Sequence, residues 1–383
     1  MRGLPDRVGL GFGLMTALVL ALVGASRGLA ETGRWQQRIS PAPASKPRPS
    51  GEATVKVHAV DPAQMPKRGL TTSGPMAGAT PSLGPTTTTV QDNAETSKAG
   101  SDAAYEAFDQ GKYLTALSIA AKQAKDGDPV AYTMVARIHA EGLGVPQSSK
   151  LAAQWYSRGA ELGDPEAALG LGALYARGDG VAQDYNKAAE YFEKAAAKGH
   201  AEAAYNLALL FLSGKGKPEL PIRGFMLMQY AAEKGVIPAM YDLGTLYATG
   251  TGTPANAFEA AKWVGKAANA GYPAAELDYA VILTRNHELP KDQLDRMRRR
   301  AVELLRSASR KGVVAAQNRL AHCYFAGIGT DKNAIEAAKW HLIAKAGGDK
   351  DPELDQAVAA LSRTDRQKAT VAAAEWRDQM LLE

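Results

Sequence analysis

The sequence predicts an all-α fold, a right-handed α-solenoid of helix-turn-helix repeats preceded by a disordered tether. Three observations carry the prediction. Glycines recur at Gly127, Gly163, Gly199, Gly235 and Gly271, each 36 residues after the last, then at Gly312 after 41 and at Gly348 after 36 again. Apolar or small residues stand four, eight and eleven positions after these glycines, as in Ala167, Leu171 and Leu174, and spacings of four and three share one face of a helix. A G-x-G pair then closes the first helix of five of the six units, at Gly142 and Gly144, Gly178 and Gly180, Gly214 and Gly216, Gly250 and Gly252, and Gly327 and Gly329.

Within a unit the elements follow in order. The leading glycine suits the left-handed conformation just past a helix end. Asp128 with Pro129, and Asp164 with Pro165, supply an N-cap acceptor and a first-turn proline that loses no needed donor. Helix A follows, with small residues such as Gly172 and Gly244 where a neighbouring helix approaches. Ser148, Asp184, Asn256 and Asn333 then offer caps for helix B, and Asn256 with Glu259 or Asn333 with Glu336 has capping-box spacing. Helix B carries a large side chain at Trp155, Tyr191, Leu227, Trp263, Leu304 or Trp340. One such pair cannot bury its apolar face alone, so the pairs must stack.

Four regions are expected along the chain. Residues 1–30 join a short basic segment to the apolar run Val8 to Ser26 and end in small residues at Gly28 and Ala30, which reads as a signal peptide or an N-terminal membrane anchor. Residues 31–100, rich in Pro, Ser and Thr, hold too few large apolar side chains to offset the entropy of ordering and read as a disordered linker. Residues 101–348 form the solenoid. Residues 349–383 form capping helices, with Thr364 and Gln367 as a capping box and Trp376 packed inward.

Repetition of A-x-x-L-[GA]-x-[LI]-[YF]-x-x-G-x-G, followed by A-A-x-[WY]-[YF]-x-x-A-A-x-x-G, resembles the Sel-one-like repeat (SLR) branch of the tetratricopeptide superfamily. The resemblance covers about residues 102–383, with six units from Gly127 onward and an incomplete one before them. Together with the N-terminal segments it is similar to bacterial envelope SLR proteins that act as regulators or localisation factors. The resemblance implies binding of proteins rather than chemistry, with helices A lining the concave side.

Composition narrows the function classes. The chain carries 45 basic and 40 acidic side chains, and its pI is near 9.0. The excess lies before residue 101, and residues 101–383 hold equal numbers of each sign. A nucleic-acid binder needs that excess on its folded domain, so no nucleic-acid partner is expected. A single cysteine, Cys323, excludes a disulfide framework and a cysteine-ligated zinc site. It stands where other units have Ile or Leu and reads as a core thiol.

The six histidines, at 58, 139, 200, 287, 322 and 341, form no metal-ligand motif, so no metal or cofactor is expected. His139 and His341 fall where other units hold Tyr or Phe and read as packed substitutes. The segment Ser213 to Lys217 lacks the order of a phosphate loop and reads as a repeat turn.

Two surfaces are candidates for a partner. Offsets seven, ten and fourteen on helix A form a polar stripe that changes from unit to unit: Arg137, Glu141, Arg177, Asn206, Ser213, Asp242, Thr245, Asp278, Arg285, Arg319 and His322. These side chains are expected to avoid the core, so that replacing Asn206, Asp242, Asp278 and Arg319 leaves stability nearly unchanged. The fifth unit has Asn286 and Glu288 in place of G-x-G and a longer helix B with an apolar seam at Leu294, Met297, Ala301, Leu304 and Ala308. Its Arg296, Arg298, Arg299 and Arg300 form either a solvated face or a basic ridge for an acidic partner or anionic surface. The chain is therefore read as a non-enzymatic, exported adaptor, periplasmic or secreted, that binds envelope proteins. Binding of peptidoglycan or polysaccharide is the alternative, and a cell-wall enzyme a weaker one for want of any catalytic constellation.

Overall fold

The computed structural model describes residues 103–285 and 289–382. The signal or anchor segment, the linker, His58, His287, Asn286 and Glu288 lie outside the described residues. Among those described every regular element is a helix, and none is long and apolar enough to cross a membrane. The contacts divide the chain into two units, 103–219 and 220–382.

The first unit holds α1 (103–109), α2 (Tyr113–Lys125), α3 (Pro129–Glu141), α4 (Ser149–Glu161), α5 (Pro165–Arg177), α6 (Tyr185–Ala197) and α7 (Ala201–Ser213). The second holds α8 (Pro221–Glu233), α9 (Ile237–Thr249), α10 (Ala257–Asn269), α11 (Pro273–Arg285), α12 (Lys291–Arg310), α13 (Val314–Ala326), α14 (Ala334–Ala346), α15 (Pro352–Ala359) and α16 (Arg363–Leu382). Within each unit consecutive helices pack on one another, the arrangement of an α-solenoid.

Local chemistry sets the helix ends. Asp128 accepts from Val130 N–H and Asp164 from Ala167 N–H, while His200 Nδ1 serves Ala203 N–H in the next unit. Ser148, Asp184, Asn256 and Asn333 cap helices B as their sequence spacing predicts. The same four residues each donate a backbone N–H to a helix A carbonyl nine residues earlier, His139, Tyr175, Tyr247 and Tyr324, at 2.8 to 2.9 Å. Each cap thereby ties helix B to its own helix A.

Packing follows the apolar periodicity. Trp155, Phe192, Leu171, Leu207, Leu243 and Leu320 are almost wholly buried. A Cβ on Gly172 would come within 2.7 Å of the Phe192 ring, and one on Gly244 within 2.7 Å of Val264, so these glycines let helices A and B close on each other. In α12 the seam residues Ala301, Leu304 and Ala308 are buried. Cys323 is buried in the same core, and loss of solvation pushes its thiol up to about 11.

The G-x-G turn does more than reverse the chain. A Cβ on its second glycine would overlap the backbone at the start or side of the preceding helix B: Gly180 against Ser149 and Lys150, Gly216 against Tyr185, Gly252 against Pro221, Gly329 against Arg298. In every case the abutted residue stands 31 positions earlier.

The C-terminal cap starts earlier than its sequence suggests. Ser362, not Thr364, is the cap: its Oγ accepts from Asp365 N–H at 3.1 Å and lies 2.8 Å from Asp365 Oδ2. Helix α16 can begin at Arg363 because α15 ends at Ala359, so Thr364 and Gln367 already sit inside it. Trp376 does pack inward, its ring centroid 5.6 Å from that of Trp340 in an edge-to-face arrangement.

Candidate interaction surface

The polar stripe on helices A is only partly a surface. Asn206 and Asp242 are each 4% exposed, which corrects their expected place outside the core. In these two units only a small part of the side chain at offset seven reaches solvent. Replacing them by alanine therefore removes buried polar groups, and the expectation of unchanged stability does not hold for these two.

Most other members of the stripe already have partners. Arg137 pairs with Glu141 at 2.8 Å and lies over the Phe108 ring. Arg177 pairs with Asp179 at 2.6 Å. Ser213 and Thr245 bond back to carbonyls of their own helices. Asp278 accepts from the Tyr241 hydroxyl at 2.7 Å, and burial raises its carboxyl above the ordinary range against the opposing effects of Tyr241 and Arg319. Arg319 and Arg285 are exposed.

What sequence reasoning missed is a set of clasps between consecutive units. Thr133 Oγ1 donates to Asp164, the cap of the next helix A. His200 Nε2 meets Glu166 at 2.8 Å. Asn318 Nδ2 donates to Asp349 at 2.6 Å and to Asp351 at 2.8 Å, and His322 meets Asp351 at 2.7 Å. His322 is thus engaged with the capping helices. His341 of α14 is buried, as its aromatic register suggests, but its Nε2 meets Asp355 of α15 at 2.8 Å. The available signal was Thr133 and Asn318 sharing one register position, six after the leading glycine, each with an Asp opening the following unit.

These clasps titrate. Burial alone would raise the Asp351 carboxyl, but hydrogen bonds from Asn318, Leu354 N–H and His322 together hold it well below the ordinary carboxylate range. A depressed folded pKa means that this stability is fully present above the unfolded value near ~4 and is lost as pH falls through the folded one. The Asp351→Asn variant should therefore show a shallower fall of melting temperature between pH 5 and 3 than the parent, and equal slopes would remove Asp351 from the acid response. His200 has the opposite sign. Its hydrogen bond to Glu166 raises it, so that contribution is present below about 6.5 and is lost as pH rises through the raised value.

The basic ridge is substantially neutralised on its own helix. Arg296 pairs with Asp292 at 3.2 Å, Arg298 approaches Asp295 at 3.9 Å, and Arg300 reaches Glu303 and Asn269, each at 2.9 Å. Arg299 is exposed. Among the described residues no group of three His, Cys, Asp or Glu side chains is placed to hold a metal ion.

Comparison with known proteins agrees with this architecture. The Sel1 repeat model matches residues 129–164, 165–200, 201–236, 237–272, 291–313 and 314–349. No curated protein matches the chain. A Sel1 repeat protein from Oxalobacter formigenes is similar in structure, with a TM-score of 0.55 and 25% identity over 66% of this chain and 98% of that one. The c5321 protein of uropathogenic Escherichia coli, a protective antigen with an SLR fold, aligns with a TM-score of 0.50 and 22% identity over 74% of this chain and 68% of its own. With matched units spanning more than half of its length, the chain belongs to the Sel1 repeat family of tetratricopeptide-like proteins, helical scaffolds for protein-protein interaction.

Proposed function

We propose that this scaffold works outside the cytoplasm as an adaptor of the bacterial cell envelope, holding a protein partner in a regulatory or localising role. The observation that carries the reading is the contrast between a core that repeats and outward side chains that do not: Ala167, Ala203 and Ala239 are equivalent and buried, whereas Lys150, Asn186, Ile222 and Phe258 share one outward register. Each unit then offers a partner different chemistry. The apolar run Val8 to Ser26 and the small residues before Glu31 support export, by cleavage or as an anchor.

Crosslinking of the full chain in envelope preparations, followed by mass spectrometry, tests the reading. Specific envelope proteins should be captured, and the N-terminus should read Glu31 if the signal is cleaved or remain intact in the membrane fraction if it anchors. Retention only on purified peptidoglycan would replace the adaptor with a wall-binding module. A reporter fusion active only in the cytoplasm would overturn export in either form.

A further inference from the structure

Helix B should bury one face and present charge on the other, yet α8 and α10 depart from this. Ile222, Met226 and Phe258 are 68%, 64% and 69% exposed. Ile222 and Phe258 hold the same register in successive repeats, and the two repeats before them place Lys150 and Asn186 there. An apolar residue thus recurs at one exposed register of two successive helices B, with Met226 one turn further along α8.

Further along the same two helices lies a groove of about 480 Å³, lined by Ala232 and Glu233 of α8, Met240 of α9, and Trp263, Lys266 and Asn269 of α10. Its floor is apolar. Lys266 Nζ sits 3.7 Å from the centroid of the Trp263 ring and forms no ion pair among the described residues. Arg300 reaches the rim from α12 through its bond to Asn269 Oδ1. Glu233, the acidic side chain in the lining, accepts a hydrogen bond from Gln229 at 2.8 Å.

Charge at the groove itself favours an acidic occupant. Two cations, Lys266 and Arg300, stand at it against one carboxylate, Glu233, and Lys266 has no ion pair among the described residues. We propose that the outward face of α8 and α10 docks an acidic, amphipathic peptide segment of the partner protein. A large apolar side chain of that segment covers Met240 and Trp263, its carboxylates meet Lys266 and Arg300, and further apolar residues lie on Met226 and Phe258. A cation already stacked on an indole loses little freedom when it gains a carboxylate, and the aromatic floor supplies the apolar contact.

The proposal rests on the adaptor reading and names the partner's chemistry. The probes are arrays of 15-residue peptides combining Glu with Leu and Phe, the same arrays with Lys for Glu, and phosphatidylglycerol vesicles. The full chain should retain the acidic arrays above the basic ones. Lys266→Glu should lower that retention at least tenfold and raise retention of the basic arrays, Phe258→Ser should weaken both, and Lys150→Glu in the same register should change neither. Equal retention of the two arrays, indifference to Lys266→Glu, or vesicle binding that alone depends on Lys266 and Phe258 would overturn it. Self-association of the chain lost in Phe258→Ser would assign the face to a second copy and overturn it too. Envelope partners captured equally by the parent and by Lys266→Glu would remove this docking face and leave the adaptor standing, whereas capture of none by the parent would remove the adaptor first.

Discussion

Gly180→Ala should lower stability far more than Gly127→Ala, although both glycines adopt positive φ, at +71° and +90°. Conformation alone costs about 1 kcal/mol at each site. At Gly127 nothing lies within 4 Å of an added Cβ, so the cost ends there. At Gly180 the methyl would occupy the space of the Ser149 carbonyl and the Lys150 nitrogen. Backbone at the start of α4 cannot rotate aside as a side chain can, so a further cost of about 1 to 3 kcal/mol follows. That sum is a substantial part of the ~5 to 15 kcal/mol that holds an ordinary domain. Urea midpoints for the two variants measure the difference, and equal midpoints would show that the turn does not seat on the preceding helix. Gly216→Ala should behave like Gly180→Ala, because its Cβ meets the Tyr185 backbone in the same way.

Ending the chain at Gly348 should make the protein self-associate more than the parent does. Leu354 and Ala369 are buried almost completely, and Trp376 packs edge-on against Trp340. Without α15 and α16 the last repeat exposes Trp340, Ile343 and Ala338, a contiguous apolar face of the kind that drives association. Polar losses add to this. His341, 1% exposed, would lose Asp355, and Asn318 and His322 would lose Asp351. Sedimentation velocity should show oligomers and thermal scans an earlier transition. A truncated chain that stayed monomeric and melted as the parent does would mean that α15 and α16 are not a cap.

Most of the architecture could be read from the residues, because the 36-residue glycine register and the 4,3 apolar spacing depend only on local chemistry. Leu171, Leu207 and Leu243 are in the core where periodicity puts them. The surface was less legible. A residue seven after the leading glycine lies at the edge of the apolar face, and whether it meets water depends on the side chains packed around it, which periodicity does not contain. Asn206 and Asp242 are buried for that reason, while Arg319 stays exposed. The clasps at Thr133 and Asn318 involve partners about 31 to 33 residues away. Pairing them requires the distance between units, not the pattern within one. Thr364 was displaced as a cap by Ser362 because the length of α15, eight residues, has no counterpart in the repeats from which the boundary was read.

The constant offset of 31 residues between a turn glycine and the backbone it abuts bears on how such a gene can change length. Recombination that duplicates or deletes 36 residues in phase gives every turn an equivalent seat, because each unit refers only to the one before it. The chain already contains one interval of 41, between Gly271 and Gly312. Its five additional residues fall upstream of Arg298, so Gly329 still finds its seat at the usual separation. Insertions are thus filtered by where they fall rather than by how long they are: those before the seat lengthen a helix B and widen the outer surface, and those between seat and glycine dislocate the neighbouring unit.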